Sequence, residues 1–223
     1  MQKGPGTLTD DFFVLATPLP ESVPYVFPDK RENRPDVIRL FASPADAGLE
    51  CVSFPPEVCG GMAVTPASII APQKNVSLCL HIAWCAYAGR LALNDRGMFM
   101  PVTLPIMYDT SCGGEVSLRV RPDERGLRLV EMLHELAGLY AWRETARAFP
   151  TWSAARQIQA VQRGMDALKD GIQREFKACD QLAIFDPEFM QWHFISAAAL
   201  RACEQAGCAL PDMKNFTRHE GGL

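Results

Sequence analysis

The sequence predicts an α+β protein, a β-rich N-terminal part followed by a bundle of three helices, and three observations carry the prediction. Ten of the 17 prolines precede residue 72, and proline interrupts helices, so short strands and turns are expected there. Glu115 to Arg121 alternates, with Val116, Leu118 and Val120 pointing one way and Ser117, Arg119 and Arg121 the other, as on a half-buried strand. Beyond residue 122, apolar residues recur every three or four positions, the period of a helix with one buried face. A chain of 223 residues accommodates two modest units. The expected division is a β-containing domain over 1–121 and a helical bundle over 122–223.

In order, residues 1–9 read as a tail, and Phe12–Ala16, Val23–Phe27 and Val37–Phe41 as short strands. Asn75–Leu93 is predicted helical, because Val76, Leu80, Ala83 and Tyr87 fall at helical spacing and no Gly or Pro intervenes before Gly89. Met98–Met107 reads as a strand broken by Pro101 and Pro105. A first bundle helix is expected over Asp123–Ala148, with Leu129, Leu133, Leu136, Leu139 and Tyr140 on one face and Phe149-Pro150 ending it. The second opens at Thr151 and carries the stripe Ile158, Val161, Met165, Leu168, Ile172 and Phe176. The third starts at Asp186-Pro187, a cap followed by a proline at the first helical position, and stops at Gly207. Short connections between them imply antiparallel packing.

Composition narrows the function classes. Met1–Asp11 has no apolar stretch of the signal-peptide kind, and the longest apolar run, Val76–Gly89, is too short to span a bilayer. A soluble cytoplasmic protein is therefore expected, with its eight cysteines mostly reduced. The net charge of −4 argues against a generic nucleic-acid binder. Its distribution is uneven, however. Arg119–Arg174 holds ten basic residues against seven acidic ones, a local +3 that leaves −7 for the rest. Arginine, outnumbering lysine 16 to 6, forks onto phosphate and carboxylate; codon bias yields the same excess without function.

The metal candidates are Cys51, Cys59, Cys79 and Cys85, four thiols within 35 residues that are enough for one tetrahedral zinc, with His81 as a further ligand. The spacing lacks the paired C-x-x-C knuckles of an intact ribbon, and the alternative is four small buried hydrophobes. His134-Glu135 is half of a zincin motif, since position 138, where the second histidine belongs, is Gly. A partly exposed helix histidine is the plainer account. His193 reads as a core-edge histidine, and Cys112-Gly113-Gly114 as a turn. No nucleophile elbow, Walker loop or dinucleotide turn is present, so a non-catalytic protein is expected. The arginines are the better functional candidates. Arg119 and Arg121 share a strand face, Arg143 and Arg147 lie one turn apart on the first bundle helix, and Arg156 and Arg163 two turns apart on the second. Together they would line a phosphate-contacting surface. The competing account is a solvated face with internal salt bridges, such as Arg163 with Asp166.

The stretches Pro56-Glu57-Val58-Cys59-Gly60 and Ile82-Ala83-Trp84-Cys85-Ala86 resemble, in degenerate form, the two C-x-x-C turns in the zinc-finger region of the large-subunit protein of type IV CRISPR–Cas effector complexes. The resemblance covers about 35 residues, 51–90 at its widest reading as a zinc-ribbon-like segment, and each turn lacks one ligand. It implies a non-catalytic subunit of a crRNA-guided antiviral complex, at one end of the assembly, recognising a motif beside the DNA target. Its partners would be the other effector subunits, guide RNA and target DNA, with zinc as the cofactor. The rival is a small acidic interaction or inhibitor protein of a mobile genetic element. A third reading is a metal-dependent hydrolase using His134 and Glu135.

Overall fold

The computed structural model describes residues 12–17, 25–26, 36–54, 63–66, 76–106, 124–175 and 178–205. Ten strands among them join in one sheet. They are β1 (Phe13–Thr17), β2 (Tyr25–Val26), β3 (Asp36–Phe41), β4 (Ala63–Pro66) and β5 (Val76–Tyr87), then β6 (Arg90–Leu93), β7 (Pro101–Ile106), β8 (Ile172–Gln173), β9 (Gln181–Asp186) and β10 (Gln191–Ser196). The helices are α1 (Pro44–Ser53), α2 (Glu124–Leu136), α3 (Trp142–Ala148), α4 (Ala154–Asp166) and α5 (Ala197–Gln205). The protein is therefore α+β.

Strand β5 is the axis of the sheet. One of its edges pairs with β3, in parallel, over Val76–His81 and then with β9, antiparallel, over Trp84–Ala86. The other edge pairs with β7 over Leu78–Trp84 and then with β6. Beyond β3 lies β1, which also pairs with β2 and β4. This corrects the helix predicted over 75–93. Residues 78–86 are buried without exception, and a continuous apolar run fits a strand covered on both faces as well as it fits a buried helix. The turn Ala88-Gly89, with φ of 50° and 73°, closes the hairpin to β6, as a two-residue loop with left-handed backbone does. Strand β7 matches its prediction. Its prolines are tolerated because, among the described residues, it pairs only with β5 and needs no donors on its outer edge.

Helix α1 joins β3 to the rest and follows a signal the proline count obscured. Ser43 caps it, its hydroxyl accepting from the Asp46 N–H at 3.5 Å, and Pro44 sits at the first position, where its missing N–H costs nothing.

Beyond residue 122 the predicted bundle is not what forms. The first helix is split into α2 and α3 at Gly138, whose φ of +78° ends the helical path. The second begins at Ser153, which caps through the Arg156 N–H at 3.3 Å, after a 3-10 turn over Phe149–Thr151. It ends at Asp166, so Leu168 falls in a 3-10 turn and Ile172 in β8. Ile158, at the head of the expected stripe, is exposed, while Val161 and Met165 pack inward. The largest correction is at 187–196, the turn and second strand of a β-hairpin where the third helix was expected to start. Asp186 caps a turn, not a helix: Oδ1 accepts from the N–H groups of Glu188 (2.9 Å) and Phe189 (3.4 Å). An Asp side chain bonds two residues onward in a turn by the same chemistry it uses at a helix start. Only α5 remains of that helix, entered directly from β10.

The two faces of the sheet carry separate cores. Val14, Leu40, Leu80 and Ile184 face Leu129, Val130 and Leu133 of α2. On the other face Trp84, Ala86, Ala183 and Phe185 pack with Leu49 of α1 and Ala160 of α4. A β-bulge between His81 and Ala83 puts both Ile82 and Ala83 on the α2 side and turns Trp84 to the other. One inserted residue shifts the alternation, and here it aims the largest side chain of β5 at α1.

Candidate functional sites

The predicted arginine surface is resolved on α3 and α4; Arg119 and Arg121 lie outside the described residues. Arg143 turns back to α2, where it makes a salt bridge to Glu131, and its guanidinium lies 5.1 Å from the ring centre of Trp142. Arg147 is exposed in the last turn of α3, where a cation complements the helix dipole. Arg156 is exposed, 3.7 Å above the half-buried Trp152 ring. Arg163 is exposed on the same face of α4, two turns on, with Asp166 at 3.7 Å. The fold thus keeps Arg156 and Arg163 together on one solvent-facing stripe and commits Arg143 to an internal pair. Sequence reasoning could not find the aromatic platform beneath Arg156. The platform follows the 3-10 turn, and the Gln157 amide donates to the carbonyls of Phe149 and Pro150 in that turn and of Trp152 itself.

The four-cysteine zinc set does not fit. Cys59 lies outside the described residues. Cys79 and Cys85 sit six residues apart on one extended strand, which separates their backbones by roughly 20 Å at about 3.3 Å per residue. A tetrahedral shell with zinc–sulfur bonds near 2.3 Å cannot take both. Among the described residues no group of three metal-ligating side chains converges.

Three histidines lie among the described residues. His134 is buried, contrary to the partly exposed position expected. Its Nδ1 lies 2.8 Å from the Val130 carbonyl, its ring stacks on Trp142 at 4.4 Å, and Glu135 beside it is exposed. Burial, with Arg143 nearby, lowers its pKa to about 4, so it stays neutral at pH 7. His193 lies half-buried within β10, 3.8 Å from Asp186. His81 is buried between Phe41 and Trp84, with no hydrogen bond to either ring nitrogen among the described residues, and burial holds its pKa well below the ordinary value.

A further feature had no sequence signal. A cleft of about 120 Å³ opens between the α2–α3 turn and the β9–β10 turn, floored by His134, Trp142 and Phe185. Tyr140 and Phe189, 79% and 72% exposed, stand among its lining residues. The cleft exists only because Gly138 breaks the helix and Asp186 turns the hairpin.

No family model, curated protein or solved structure matches the chain. No helix among the described residues is long and apolar enough to cross a membrane.

Proposed function

We propose that this chain is a non-catalytic, nucleic-acid-contacting subunit of a crRNA-guided complex of the type IV CRISPR–Cas kind, touching the guide end or target-adjacent DNA through α4. The observation that carries the reading is the exposed stripe of Arg156, seated on Trp152, and Arg163. An arginine held over an aromatic ring is oriented while its N–H groups remain free to fork onto phosphate. Base pairing to the guide supplies sequence specificity in such complexes, so the protein's contacts are to backbone and shape.

The test is the double variant Arg156→Ala/Arg163→Ala, with guide RNA or target DNA binding measured by the assembled complex at several salt concentrations. Binding should weaken similarly across sequences. The slope of log affinity against log salt should become shallower by about 0.9 for each phosphate that is no longer neutralised. Unchanged affinity and slope would remove α4 from the nucleic-acid surface. The rival reading, a protein-interaction module, is favoured by the cleft with Tyr140 and Phe189 beside it. Failure of Phe189→Ser to hold a protein partner, with nucleic-acid binding intact, would put that reading first.

A further inference from the structure

The far end of β5 meets the segment that enters β9. Cys85 lies opposite Leu182 in the antiparallel ladder, and the Asp180 N–H donates to the Ala86 carbonyl at 3.2 Å. Cys179 packs against the same core cluster that contains Cys85, and the two thiols lie near enough for each to shift the pKa of the other. Their surroundings differ. Cys85 is 1% exposed. Cys179 is half-buried, at the surface edge of the cluster, with its sulfur 3.9 Å from the Glu175 carbonyl. No disulfide joins them.

We infer that Cys85 and Cys179 form a peroxide-responsive modification site, in which Cys179 is oxidised first and Cys85 resolves it into an intrachain disulfide. The oxidant is hydrogen peroxide. The Cys179 thiolate attacks one peroxide oxygen, the O–O bond breaks, and the second oxygen leaves as hydroxide, which takes up the proton Cys179 released and becomes water. The product is a sulfenic acid, Cys–S–OH. The Cys85 sulfur then attacks the Cys179 sulfur. The S–O bond breaks as the S–S bond forms, and the hydroxyl departs as water with the Cys85 proton. Two thiols and one peroxide become one disulfide and two waters, with two electrons passing from sulfur to oxygen.

The order of attack follows from the environments. The neighbouring Cys85 thiol holds the Cys179 thiol below its ordinary pKa, while burial pushes Cys85 well above. The thiolate is the reactive form, so the accessible and more acidic sulfur reacts first. The buried partner, a member of the cluster on which Cys179 packs, captures the sulfenic acid before further oxidation. Cytosolic disulfides are mostly of this transient kind. The bond would tie the central strand to the entry of the C-terminal hairpin.

The experiment uses the whole reduced chain, exposed to graded hydrogen peroxide and mapped by mass spectrometry of non-reduced peptides. The expected result is a linked Cys85–Cys179 peptide as the first disulfide formed, reversed by dithiothreitol, absent in Cys179→Ser and retained in Cys51→Ser. In Cys85→Ala the intermediate has no resolving thiol, so Cys179 sulfenic acid trapped by a 1,3-diketone should rise severalfold over the wild-type chain. If Cys85→Ala does not fold, the wild-type map and Cys179→Ser decide the matter. A folded wild-type chain that yields no Cys85–Cys179 peptide, or links other cysteines first, overturns the proposal.

Discussion

At the scale of single residues, the least ordinary group is Asp46. It sits in the first turn of α1, buried, with its Oδ1 accepting from the Trp84 indole N–H at 2.9 Å. Burial outweighs that bond and the Ser43 hydroxyl, and raises its pKa from 3.8 to about 7. The sign follows. A raised carboxyl favours the protonated native state, so its contribution to stability is complete below the unfolded value and is lost as pH rises through about 7. His134 acts in the opposite sense: with its pKa lowered to about 4, its contribution is complete above 6.5 and is lost as pH falls through about 4. Asp46→Asn keeps an acceptor for Trp84 and cannot ionise. Its stability relative to the wild-type chain in urea unfolding should rise by on the order of 2–4 kcal/mol between about pH 5 and about pH 8.5. Equal destabilisation at both pH values would mean that the native state holds an ionised carboxylate there. Neither group was visible in the sequence as a titrating residue, since burial of a side chain is a property of its neighbours.

At the scale of elements, the packing of α1 on α4 depends on glycine. A Cβ at Gly164 would lie 2.5 Å from Leu49 Cδ2 and 3.2 Å from the Phe185 ring, and one at Gly48 would lie 3.0 Å from Val161. The Gly164 carbonyl also accepts from the Trp192 indole at 3.1 Å, tying α4 to β10. Gly164→Ala gains about 1 kcal/mol of helix propensity. Overpacking costs about 1–3 kcal/mol, and an approach of 2.5 Å places this site at the upper end, so a net destabilisation of roughly 1–2 kcal/mol is expected in denaturant unfolding. A stabilised variant would show that the helices can part without penalty. Here the sequence told half the story. The apolar spacing of Val161 and Met165 marked a buried face of α4, and Val37–Phe41 marked β3. Which partner α4 meets was not legible, because a stripe of three- and four-residue spacing fits another helix or a sheet equally.

At the scale of the whole molecule, the expected boundary at 121/122 lies outside the described residues, but strands from both sides of it share one sheet. Strand β9 pairs with β5 and delivers Leu182 and Ile184 to one core, Ala183 and Phe185 to the other. A fragment of residues 1–121 would expose that edge of β5 together with both cores, and exposed apolar strand edges recruit other chains. It is expected to aggregate or to show no cooperative unfolding, whereas the full chain should unfold cooperatively, as followed by circular dichroism. A soluble fragment with a sharp transition would restore the two-domain division.

Taken alone, the sequence determined what is local. It marked the short strands it placed at 12–16 and 37–41, the proline-bearing strand at 98–107, the amphipathic helix it opened at Thr151, each displaced by a few residues from its place in the fold, and the α+β mixture they imply. Tertiary structure decided the rest, and for one physical reason. Val76–Tyr87 and Gln181–Ser196 are apolar or aromatic enough to be buried in either conformation, and an Asp-Pro pair or an isolated Gly serves a turn as readily as a helix end. Such segments take the form whose backbone hydrogen bonds find partners. For β5 and β9 those partners lie about a hundred residues apart in the chain.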